Sequence, residues 1–296
     1  MSYLLIGNIS ALICDDCIEP LANARIRIYL PDDRQKNENV FNDLRPLSAR
    51  EVLMKADRLL AQTTLDEHGN FSLSWEESHL FTEPLDLDLC LDNMPGKKGK
   101  QQPRNYHLSR MVLPWKRSRN GYLSAYAYVV PSETWNVLCG NAGVWVITGL
   151  VKPQGAVNTP SQLKVEAFNA ATGHKIGQAF TNENGRYMMR FSGMDLYGSA
   201  ERYAEIGPDV YFKIYRDNYI IWEENEQHAA ANDRRNLAPC SCHHIIYKSS
   251  IVKRASEHLY YWLNGIAVVS GIRRRKQEVY SLRYRHHIAG KEQQQA

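Results

Sequence analysis

The chain has 296 residues and a formal net charge of +4, with 44% hydrophobic, 23% charged and 10% aromatic residues. This is an ordinary globular profile, long enough for two domains, and it excludes wholesale disorder, a collagen or coiled-coil fibre and a disulfide-dense miniprotein. No apolar run approaches the roughly 20 residues of a membrane-spanning helix, and the mild positive charge falls short of a dedicated nucleic-acid binder.

The opening Met-Ser-Tyr-Leu-Leu-Ile-Gly-Asn has no basic leader, so synthesis in the cytoplasm without a signal peptide is expected. Leu5 to Leu12 predicts a first strand, and Ala24 to Tyr29 alternates apolar and polar residues as a half-buried strand does. Ser48 and Glu51 form a capping-box pattern. Val52, Leu53, Ala56, Leu59 and Leu60 then recur at helical spacing, which predicts a helix inserted within about residues 31–61. Asp66 to Trp75 reads as a turn and an alternating strand, and Leu85 to Asn93 as a further extended segment. Lys97, Lys98 and Lys100 mark a basic loop, residues 121–130 another strand, and Ser132 to Gly140 a short helix.

The same order then recurs. Trp145 to Val151 opens it, Leu163 to Phe168 alternates, Asn182 to Phe191 is a turn and strand, and Asp209 to Asn218 closes it. The expected layout is a sandwich over 1–135, a linker over 136–144, a second sandwich over 145–222 and a basic C-terminal extension over 223–296. Within the extension, Ile245 to Val252 and Gly265 to Ile272 are candidate strands.

The Gly-x-Val strand, the Lys-Val-Glu-Ala-Phe strand and Thr181-Asn182-Glu183-Asn184-Gly185-Arg186-Tyr187 resemble the transthyretin-like, carboxypeptidase-regulatory-like β-sandwich. Residues 145–218 carry the resemblance well, and 4–93 less well because of the insertion. It implies a mainly β fold of two such sandwiches, with a helical insertion in the first and a C-terminal extension. Cys14-Asp15-Asp16-Cys17 and the Trp-Val-Ile-x-Gly opening of the second repeat are similar to such domains in bacterial contractile injection systems. That resemblance implies a phage-tail-like particle assembled in the cytoplasm and freed by lysis.

Cys14-x-x-Cys17 and Cys240-x-Cys242 are of the right chemistry for zinc, but the pairs lie far apart and incidental thiols are the simpler reading. No other cofactor is expected. Asp86, Asp88 and Asp92 share one strand face, a conceivable calcium site though more simply a solvated surface. There is no Gly-x-Ser-x-Gly elbow, His-Glu-x-x-His or P-loop. Nor does the end, Tyr284-Arg285-His286-His287, match the Tyr-Arg-Gly-Ser ending of transthyretin relatives that hydrolyse 5-hydroxyisourate. Arg273, Arg274, Arg275, Lys276, Arg283 and Arg285 form a basic tail, read as a docking surface for protein rather than nucleic acid. The expected function is therefore a non-enzymatic structural or adaptor subunit of a large assembly, partnered by other protein subunits. A contractile injection particle is its most specific version, at cap, baseplate or tube lumen. The alternative is a carbohydrate- or peptide-binding module with Trp75, Trp115 and Trp222 as platforms.

Overall fold

Period-2 alternation is realised in most of the strands. A computed structural model describes residues 2–15, 17–32, 44–76, 82–97, 101–119, 121–155, 159–197 and 207–248. The basic tail from Arg273 to Arg285, the candidate strand at Gly265 to Ile272 and residues 98–100 of the basic loop lie outside these. In chain order come β1 (Ser2–Cys14), β2 (Cys17–Pro20), β3 (Arg25–Tyr29), β4 (Arg45–Leu47), α1 (Ala49–Met54), β5 (Leu59–Thr64) and β6 (Asn70–Glu76). Next are β7 (Leu85–Leu91), β8 (Arg104–Met111), β9 (Lys116–Ser118), β10 (Gly121–Val130) and α2 (Ser132–Ala142). The second half holds β11 (Val144–Pro153), β12 (Lys164–Asn169), β13 (Lys175–Phe180), β14 (Arg186–Ser192) and α3 (Gly193–Tyr197). It ends with β15 (Val210–Arg216), β16 (Tyr219–Glu223), β17 (Cys240–Cys242) and β18 (Ile245–Tyr247).

These strands build a mainly β sandwich architecture from four sheets. Sheet 1 runs β2-β1-β10-β9 with β6 also on β1, and sheet 2 runs β4-β8-β7-β3-β5. Sheet 3 runs β14-β11-β17 with β18 also on β11, and sheet 4 runs β13-β12-β15-β16. The strand order is thus repeated: β6-β1-β10 matches β14-β11-β17, and β5-β3-β7 matches β13-β12-β15. The match extends to strand direction, because β10 is parallel to β1 and β17 is parallel to β11. It extends to single hydrogen bonds as well, since Ile9 N donates to Gly69 O and Val151 N donates to Gly185 O, both at 2.9 Å.

Gly7 and Gly149 show why the repeat keeps a glycine at this place. A Cβ on Gly7 would lie 2.0 Å from Tyr126 O and 2.5 Å from the Phe71 ring. On Gly149 it would lie 1.9 Å from His243 O and 3.0 Å from the Tyr187 ring. In both repeats the parallel strand and the opposing aromatic close on the backbone, and no side chain fits between them.

Sheets 1 and 2 share one core. Tyr3, Leu5, Ile9 and Ala11 of β1 pack with Ile26 and Ile28 of β3, Leu85, Leu87 and Leu89 of β7, and Leu108 of β8. Of the three candidate platform tryptophans, Trp75 is buried in this core and the partly buried Trp115 packs against it, while Trp222 of β16 lies half-buried opposite Ile214. Trp75 stacks on Tyr3 with centroids 5.7 Å apart, and Trp115 meets Tyr3 edge-on at 4.9 Å. Such pairs contribute about 1 kcal/mol each beyond burial.

The insertion contains the expected cap, but its helix is shorter than the periodicity suggests. Ser48 Oγ accepts from Glu51 N at 3.2 Å, and Glu51 Oε2 accepts from Ser48 N at 2.8 Å. Helix α1 ends at Met54, with Leu53 75% and Met54 68% exposed. Leu59 and Leu60 open β5 instead, because ladder pairing with β3 outweighs a helical stripe that has nothing to pack on.

β11 is buried on both faces. Trp145 and Ile147 lie opposite Phe191 and Met189 of β14, while Val144 and Val146 join the core of the first repeat beside Trp135 and Leu138 of α2. That double burial is why Val144 to Val151 reads as an almost unbroken apolar run.

Candidate functional site: an uncharged sheet face and a buried seam

The outer face of sheet 1 is assembled from residues that sequence reasoning assigned only to strands. Register places Leu4 between Ser74 and Leu123, Ile6 between Ser72 and Ala125, and Asn8 between Asn70 and Ala127. Ser10 lies between Pro20 and Val129, and Leu12 opposite Ile18. Charged side chains stand at the end of these rows rather than within them: Lys116 of β9 lies opposite Leu123, and Glu76 of β6 lies opposite Ser2. Leu4 is 39% exposed, Ile6 42%, Val129 43% and Ile18 58%. Alanine and serine between the larger residues keep the face flat, apart from a shallow depression of about 580 Å³ lined by Ile6, Asn8, Asn70 and Ala127. Exposed large apolar side chains grouped on one sheet face, here interleaved with serine and asparagine, make it a candidate interaction surface.

The outer face of sheet 2 has the opposite character. Asp86 and Asp88 are buried, which corrects the expectation of a solvated acidic face or a calcium site. Arg110 Nε and Nη2 donate to the two Asp86 oxygens at 2.6 and 3.0 Å. Lys55 Nζ donates to both Asp88 oxygens at 3.0 and 2.9 Å, and His107 Nδ1 donates to Asp88 Oδ1 at 2.9 Å. Arg25 Nε donates to Asp92 Oδ2 at 2.6 Å and holds that carboxyl below the usual range. Each carboxylate therefore has its own cation and needs no metal. Lys55 comes from the inserted segment, which covers this face.

Between the repeats runs a buried seam. Glu19 of β2 pairs with Arg190 of β14, next to Trp135 of α2. Burial pushes the Glu19 carboxyl up, and the Arg190 charge opposes that shift. Glu19 Oε2, Arg190 Nε and Trp135 Nε1 are buried polar atoms with no hydrogen-bond partner among the described residues. Cys17 Sγ shares a hydrogen bond of 3.4 Å with Thr148 Oγ1. Cys139 of α2 lies beside Cys240 of β17, whose side chain, together with burial, raises the Cys139 thiol.

All six cysteines are thiols rather than disulfides. The proposed zinc ligands are directed to separate partners: Cys14 lies opposite Cys17 in the β1–β2 ladder, Cys240 meets Cys139, and Cys242 Sγ is 3.7 Å from His244 Nε2. Among the described residues no three His, Cys, Asp or Glu side chains are grouped to hold a metal ion. No helix among them is long and apolar enough to cross a membrane.

A second buried network went unread in the sequence. Arg234 Nη2 donates to Glu224 Oε1 at 3.1 Å, and Arg234 Nη1 reaches His243 Nδ1 at 3.0 Å, so the proton of neutral His243 sits on Nε2. Burial first and the Arg234 charge second push the His243 pKa down to about 4. At this point the β17–β18 strand is broken: His243 turns inward, and His244 Nδ1 accepts from Leu150 N at 3.1 Å.

No protein-family model and no curated protein matches the sequence. Among solved structures the chain is similar to the Bacillus anthracis TIE protein, with 10% identity, TM-score 0.25, and coverage of 84% of this chain and 34% of that one. It is also similar to shaft pilin SpaA from Lactobacillus rhamnosus GG, with 10% identity, TM-score 0.28, and coverage of 84% and 97%. A Streptococcal ancillary pilin gives 8% identity, TM-score 0.24, and coverage of 76% and 59%. Overlap of this depth assigns neither a family nor a role.

Proposed function

We propose that the chain is a non-enzymatic structural subunit that docks other protein subunits through the outer face of sheet 1. The observation that carries this reading is the set of exposed apolar side chains Leu4, Ile6, Ile18, Leu123 and Val129 on one face of a five-stranded sheet, with Lys116 and Glu76 at its margin. Its polar groups are small, so desolvating it costs little, and charged or polar rims would set the register of docking. The repeated sandwich supports a spacer role, since two similar bodies joined by a packed seam hold a fixed length. The finer reading is a transthyretin-like component of a contractile injection, phage-tail-like particle, at cap, baseplate or tube lumen. It rests on the resemblance in the strand motifs and on Cys14 to Cys17.

The test compares the intact chain with Leu4→Glu and Leu123→Glu by light scattering and chemical cross-linking, alone and in lysate of the source cells. Assembly of the wild-type chain that both variants abolish, with thermal midpoints unchanged, supports the proposal. A wild-type chain that stays monomeric and captures no partner overturns it. With Trp75 buried and Trp115 packed against the core, the carbohydrate- or peptide-binding alternative retains only the half-buried Trp222 of its three platforms.

A further inference from the structure

We propose that Cys139 and Cys240 are a covalent modification site, forming a reversible disulfide that ties helix α2 to strand β17, with a low-molecular-weight disulfide as the oxidant. The inference starts from geometry. The two thiols are near enough for the Cys240 side chain to raise the Cys139 thiol. Their backbones are pinned from both sides: Cys240 N donates to Asn136 Oδ1, one helical turn before Cys139, at 2.9 Å. A Cβ built on Gly140 would stand 3.2 Å from Pro239 Cγ, and Val146 N holds Pro239 O at 2.7 Å. These contacts bring the two segments side by side, the arrangement from which a disulfide can form.

The chemistry has an order. Cys240 is partly exposed and Cys139 is buried, so Cys240 is the entry thiol. The Cys240 side chain, followed by burial, keeps Cys139 protonated while both are thiols. The Cys240 thiolate attacks one sulfur of the small disulfide, the S–S bond breaks, and one small thiolate leaves. Cys240 is then an uncharged mixed disulfide and no longer raises the Cys139 thiol, which burial and the Glu19 charge still hold up against the Arg190 charge, so the departed thiolate is the base that takes its proton. Cys139 gives its proton to the departed thiolate and attacks Cys240 Sγ, releasing the second small thiolate. In sum, two protein thiols are oxidised to one disulfide and one small disulfide is reduced to two thiols.

The bond would clasp the second repeat at both ends, since α2 precedes β11 and β17 is its parallel partner. Closing a loop of about 100 residues constrains the unfolded chain strongly, so oxidation raises the thermal midpoint by roughly 5 °C or more.

The experiment incubates the intact reduced chain with oxidised glutathione, then maps peptides without reduction and records thermal midpoints. The expected result is a linked Cys139–Cys240 peptide and a raised midpoint, both reversed by reductant. Cys240→Ser loses both, while Cys14→Ser and Cys242→Ser keep both. A stable glutathione adduct on Cys240, a link at Cys14–Cys17 or Cys240–Cys242 instead, or no midpoint change overturns the proposal. Because Cys139→Ser alters a buried position, Cys240→Ser is the deciding variant, and its reduced midpoint must equal that of the wild type.

Discussion

Glu19 on β2 and Arg190 on β14 form an ion pair across 171 positions of sequence, and it is the buried electrostatic link between the two repeats. The partners are unequal: the Glu19 side chain is 3% exposed and that of Arg190 30%. Removing the arginine strands a buried carboxylate, whereas removing the acid leaves a guanidinium that can reach water. Arg190→Met is therefore expected to cost about 3 kcal/mol and Glu19→Gln about 1 kcal/mol. Chemical denaturation of both variants and of the pair checks this, the double variant being less destabilised than the sum.

Lys55 faces a similar test on sheet 2. Lys55→Met leaves Asp88 with the His107 hydrogen bond alone, and a loss of about 3 kcal/mol is expected. Adding Asp88→Asn recovers part of that loss, because the buried charge is removed. Equal stability of the single and double variants would show that the lysine acts through packing alone.

His243 gives the fold an acid limit. Its pKa falls from 6.5 to about 4 on folding, so between those values the unfolded chain binds more protons. The corresponding stability is complete above pH 6.5 and is lost as pH falls through 4, by about 3 kcal/mol in all. Urea midpoints across that window should fall more steeply for the wild-type chain than for His243→Gln.

Gly149→Ala places a methyl group 1.9 Å from His243 O and is expected to cost about 3 kcal/mol, with Gly7→Ala behaving alike. Gly155→Ala meets nothing within 4 Å, although its φ is +75°. It should cost only about 1 kcal/mol, through backbone strain. Thermal midpoints of the three variants separate steric closure from strain.

Much of the fold is legible locally. Strands β3, β6, β10, β12 and β14 follow from alternation, the Ser48–Glu51 cap from its spacing, and the repeat from glycine and asparagine turns. What is hidden depends on distant partners. The Leu-Asp alternation of β7 looks half-exposed, yet Lys55 and Arg110 come from elsewhere in the chain to bury Asp86 and Asp88. Trp75 and Trp115 gave no local sign that they meet on Tyr3. The grouping of exposed apolar side chains on sheet 1 emerges only when β1, β6 and β10 are set in register, since the short Leu4 and Ile6 pattern alone reads as an ordinary strand. The unbroken apolar run at β11 was the one available signal of the seam.

The parallel placement of β10 on β1 has a consequence for how the chain is made. β1 is synthesised before its ladder partner β10, and Gly121 to Val130 follow only after β2 to β9. Until then the apolar edge of β1 has no neighbour on that side, and the first repeat cannot close. β11 waits in the same way for β17. Nascent chains stalled before Val130 should thus be prone to aggregate and should bind chaperones, while those stalled after it should resist protease.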